Sequence, residues 1–95
     1  MNNDSKRPKL ILQTSEPISG DWDGGAKSRF EFVPEAIYDT PEGDTIKWGC
    51  WGANFWYNAG MGKSWKHAAT IARKRLARLF HPPSGITYTI EIVWE

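Results

Sequence analysis

Cysteine is nearly missing from this 95-residue sequence, where Cys50 stands alone. That excludes an intramolecular disulfide and any zinc site built from several cysteines, and it predicts a reducing, cytoplasmic setting. Histidine is scarce as well. His67 and His81 are separated by most of a predicted helix, and neither has a carboxylate or cysteine spaced to make a base, nucleophile or metal ligand. Long apolar runs are also lacking. The opening MNNDSKRPK is polar and leads only into Leu10 to Leu12, so it reads as neither a signal peptide nor a membrane span. Residues 1–7 are expected to be flexible and residues 8–95 to form a single domain. No repeat or low-complexity block appears. These absences predict a non-catalytic binding protein with no cofactor, no metal and no membrane partner.

The most informative absence is one of charge sign. Residues 1–44 carry nine acids against five Lys/Arg, whereas residues 45–90 carry seven Lys/Arg and no acid. The net charge of +1 conceals this segregation. If the fold keeps the second half together, the surface is electrostatically one-sided.

Aromatic residues are plentiful, with six Trp, three Tyr and four Phe. Each ring hides roughly 150–250 Å² when buried, enough to give a chain of this length an efficient core. Strand character is predicted for Lys9 to Ser15, for Arg29 to Tyr38 with Phe30 and Phe32 on one face, and from Thr45 with Ile46, Trp48 and Cys50 on one side. Pro34 predicts an edge position or a bulge. The turn-rich runs Ser19 to Gly25 and Asp39 to Asp44 separate these strands. Beyond Gly52 the chain either bends or makes a second leg through a Gly-Ala-Asn turn. Ser64 to Phe80 predicts a helix capped by Ser64 and stopped by His81-Pro82-Pro83, with Trp65, Ala68, Ala69, Ala72, Leu76, Leu79 and Phe80 on one arc. Ile86 to Trp94 closes as a strand with Ile86, Tyr88, Ile90, Ile92 and Trp94 inward. The expected fold is α+β: about four strands, largely antiparallel, in the order β-β-β-α-β with the helix across one face. A last strand paired in parallel beside the third would need a right-handed crossover.

Three groups of residues carry candidate function. Gly60-Met61-Gly62-Lys63-Ser64 is a glycine-rich turn opening a helix, an arrangement that favours an anion. It is not a Walker A loop, because Tyr57 stands where that pattern has its first glycine. The run Gly60-Met61-Gly62-Lys63-Ser64-Trp65-Lys66-His67-Ala68-Ala69 resembles the stretch of the double-stranded RNA-binding domain that leads into its final helix. In that family the motif's lysines contact phosphates across a groove. Lys66 matches one of those lysines, and Trp65 and Ala69 stand at the other two. The likeness spans about a dozen residues, with no family-like first helix and with a strand after the helix, so it reads as shared local physics, a glycine turn feeding a basic helix.

The second group is the basic helix face, Lys63, Lys66, Arg73, Lys74, Arg75 and Arg78, whose lack of acids sets it apart from an ordinary solubilising face. The third is the aromatic run Trp48, Trp51, Phe55, Trp56 and Tyr57, which cannot all face one side of a strand. The first expectation is a nucleic-acid-binding module using Lys63, Lys66, Arg73, Lys74 and Arg78 on phosphates, with Trp51 or Trp56 stacking. The alternative is a partner protein complex: an inhibitor or accessory factor of the kind that phages and other mobile elements encode, for example against a host nucleic-acid-handling machine, meeting it through an aromatic-rich surface. A small metal-dependent nuclease using turn acids such as Asp21 and Asp44 with Lys47 or Lys63 ranks last; as a cation site, the turn acids lack the spacing of a Ca²⁺ loop.

Overall fold

The computed structural model describes residues 7–20, 25–50, 53–59 and 64–94. Five strands, β1 (Pro8–Gly20), β2 (Gly25–Thr40), β3 (Gly43–Cys50), β4 (Ala53–Asn58) and β5 (Tyr88–Trp94), form an antiparallel sheet with α1 (Trp65–Leu79) placed between β4 and β5 in sequence. Their order across the sheet is β4-β3-β2-β1-β5.

The expected α+β class is correct, and the strand count is corrected from about four to five. The chain beyond Gly52 makes a second leg: β4 pairs back on β3, with Cys50 opposite Ala53 and Trp48 opposite Phe55. The conditional parallel pairing of the last strand does not arise. That strand lies antiparallel beside β1, with Leu10 opposite Ile92 and Leu12 opposite Ile90, and not in parallel beside β3. This follows from apolar matching, because Ile90 and Ile92 extend the core-facing row that Leu10 and Leu12 begin.

The chain therefore leaves the sheet at one edge and returns at the other. Trp65 at the start of α1 lies against Arg7, which precedes β1, while Leu76, Leu79 and Phe80 at its end line a pocket with Ala53 to Phe55 of β4. The helix packs against β1 and β5 and touches β4. The sheet brings large side chains to this layer, namely Phe30, Phe32, Trp48 and Phe55, while the helix brings Ala68, Ala69, Ala72 and Leu76. Small residues on the helix leave room for large ones on the sheet. Trp48 is wholly buried and stacks on Phe55 at 6.2 Å between centroids. Leu79, expected on the buried arc, is half exposed, at an open pocket that it lines with Phe32, Ala53 and Phe55.

Two irregularities shape the sheet. Between Gln13 and Ile18, four residues of β1 face only Ser28 of β2, and the buried Thr14 hydroxyl donates to the Glu16 carbonyl to hold this bulge. Around Pro34 the pairing with β3 slips by one, leaving Glu35 as the extra residue. A bulge is how a sheet interior accommodates Pro34, as its position in the sequence predicts.

Candidate nucleic-acid interface

Ser64 caps α1, its hydroxyl accepting from the His67 amide at 3.3 Å, and Phe80 closes the helix by packing edge-on against Tyr88 at 4.9 Å. With the Ala-rich stripe facing the sheet, period 3.6 turns Lys74 and Arg78 away from it and sets Lys66 and Arg73 on one flank and Arg75 on the other; all five are exposed. Lys66 to Arg78 span about 18 Å of helix, longer than the roughly 12 Å width of a DNA major groove.

The electrostatics of this face differ from those of the rest of the molecule. Ion pairs between described residues join Lys9 and Arg29 to Glu31, and Lys47 to Glu35. None involves α1, which carries no acid of its own. Like charges one turn apart, as at Lys74 and Arg78, destabilise a helix by roughly 0.2–0.5 kcal/mol per pair. Lys66 sits in the first turn, where the helix dipole disfavours a cation. These costs are borne without a compensating acid among the described residues, which an approaching polyanion would supply.

The acids lie elsewhere. Glu31 and Glu91 flank Ile11 across the face of the sheet that α1 leaves open, while Asp39 and Asp44 pair at the end of the β2–β3 hairpin. Lys9 and Arg29 hold the Glu31 carboxyl below its ordinary range, chiefly by hydrogen bonding. No group of three or more potential metal ligands occurs among the described residues. No protein-family model, no curated protein and no solved structure shows significant similarity to this chain.

Trp56 occupies the other side of the sheet from α1. Its neighbour Phe55 enters the core, so alternation projects Trp56 onto the open face, where it meets Tyr38 at 5.4 Å and has the Lys47 ammonium 5.8 Å from its ring. The expected stacking partner and the basic helix thus belong to opposite faces. Lys63 and Trp51, also expected at the site, lie outside the described residues, as does the Gly60 to Lys63 turn.

Two contributors were missed from sequence. Strict alternation from Phe30 and Phe32 would put Tyr38 inward; the Glu35 bulge shifts the phase and turns it outward beside Trp56. The pairing of β5 with β1 places Tyr88, Thr89 and Ile90 beside Arg73 and Lys74, with which they line a groove of about 330 Å³. A bulge signal at Pro34 could have located the first; nothing local encodes the second.

Proposed function

We propose that this chain is a non-catalytic module that binds nucleic-acid phosphates through the outward side of α1. The observation that carries the reading is the row Lys66, Arg73, Lys74, Arg75 and Arg78, exposed and without an acid in ion-pair reach among the described residues. Cations around the outer half of a helix supply affinity that depends on charge and geometry and discriminates little between sequences. The acids on the opposite face would orient the molecule on a polyanion by repulsion.

Anisotropy of labelled duplex DNA and duplex RNA tests this. Lys66→Ala and Arg73→Ala should each weaken binding roughly threefold to tenfold and lower the salt slope by about one. Trp56→Ala should leave affinity unchanged, since its ring faces away from the helix. Equal binding by all three variants would remove the reading.

A second reading, a protein-binding inhibitor or accessory factor, is favoured by the exposed Tyr38 and Trp56 rings on the open face. Paired Tyr and Trp are the side chains that anchor protein interfaces. It predicts a complex broken by Trp56→Ala and indifferent to Lys66→Ala.

A further inference from the structure

β5 is an edge strand, paired with β1 and with no neighbour on its other side among the described residues. The Ser15 amide donates to the Thr87 carbonyl at 2.8 Å, so the backbone groups of Thr87 point toward β1. Alternation along an antiparallel strand then turns those of Thr89, Glu91 and Val93 the same way, and those of Tyr88, Ile90 and Ile92 toward the free edge. Proteins usually blunt such an edge with proline, lysine or a bulge. β5 has none of these: YTIEIVW is regular throughout its register with β1 and rich in β-branched residues. Its one charged side chain, Glu91, stands opposite Ile11 on the open face of the sheet.

On the helix side this edge opens into the groove lined by Arg73, Lys74, Ala77, Tyr88, Thr89 and Ile90. Its floor is apolar and its rim is cationic. We propose that the β5 edge takes up an extended acidic segment of a partner protein as a sixth strand, with Arg73 and Lys74 receiving its carboxylates.

Charge decides between this occupant and a second copy of the chain. Two β5 edges meeting antiparallel form one continuous sheet about a dyad perpendicular to it, which puts both helices on the same face. The seam would then bring Arg73 and Lys74 of each copy toward their counterparts, and the described residues of α1 and β5 supply no acid on that side to offset them. An acidic strand meets the same rim with opposite sign and the same edge with matching hydrogen bonds. The inference is independent of nucleic-acid binding, although the two ligands would compete for Arg73 and Lys74.

The probe is a labelled ten-residue peptide alternating Glu with Val, titrated into the full chain at low salt. Binding is expected, with a loss of roughly tenfold or more when the peptide's alternate backbone amides are N-methylated on the edge-facing side, and when its Glu residues are replaced by Lys. Arg73→Ala with Lys74→Ala should weaken the unmethylated peptide to a similar degree. Ile90→Pro removes an amide that faces the free edge and should abolish binding; the methylated peptide gives the same information without altering the protein. Undiminished binding of the methylated peptide, or none of the parent peptide to folded protein, would overturn the proposal. So would a dimer in sedimentation that Ile90→Pro converts to monomer. Failure to bind duplex DNA or RNA would remove the reading of the preceding subsection and leave this one standing.

Discussion

Glu31 shows how much of this protein's charge is already committed at the level of single side chains. Lys9, on the adjacent strand, donates to its carboxylate at 3.0 Å, and Arg29 reaches the same group from two residues away on β2. Both favour the ionised form, so the carboxyl titrates below its ordinary value of 4.5. A group whose folded value is depressed contributes stability above its unfolded value and loses it as pH falls through the folded one. The urea midpoint should therefore decline as pH falls below about the ordinary glutamate range. Glu31→Gln should flatten that part of the profile; an unchanged acid limb would show that the triad contributes nothing. Tyr57 behaves in the opposite sense, because burial raises its phenol and the resulting loss of stability comes only on strong alkalinisation.

Residue environments were legible from sequence wherever strict alternation held. Cys50, Ile46 and Trp48 are buried as their spacing predicts. Legibility stopped where a bulge changed the phase, as at Glu35. That bulge also explains Gly49: a Cβ there would collide with the Glu35 carboxylate, which lies over it. The Glu35 side chain is exposed and its far end is free to swing, so Gly49→Ala should displace it from Lys47 at a cost of about 1 kcal/mol or less. A melting point lowered by far more would mean that the backbone itself is held by this approach.

At the scale of elements, α1 is the part the sequence described best. Its cap, its stop and its Ala-rich buried stripe all appear where expected, because capping chemistry and period 3.6 are local. The strands were harder. From sequence β4 reads equally as a bend or a second leg, since its six residues with three aromatics fit a continuation or a return. The partner of β5 was not encoded locally at all; it depends on which apolar row remains uncovered once four strands have paired. Two predictions belong here. Ala72 is fully buried against the sheet, and close-packed interiors resist added atoms, so Ala72→Leu should lower stability by about 1–3 kcal/mol in urea unfolding. Gly85 has a φ of +87° in the turn that returns the chain to β5. Gly85→Ala should cost roughly 1 kcal/mol although open space surrounds it, because the strain is in the backbone.

For the whole molecule, the segregation seen along the chain becomes a segregation in space. The acid-free half supplies α1 and its five exposed cations, while Glu31, Glu35 and Glu91 belong to the sheet strands, each of the first two neutralised locally by lysine or arginine. A near-neutral net charge thus coexists with one strongly positive face. The measurement that tests this most directly is a titration of duplex DNA, duplex RNA and single strands at two or more salt concentrations, followed by anisotropy. Phosphate binding through α1 predicts that affinity for duplex falls steeply with salt, with a logarithmic slope of about −3 to −5, near −0.9 for each cation engaged. A slope near zero, or no binding at low salt by folded protein, would contradict the account and leave the exposed aromatic face and the β5 edge as the surfaces to pursue.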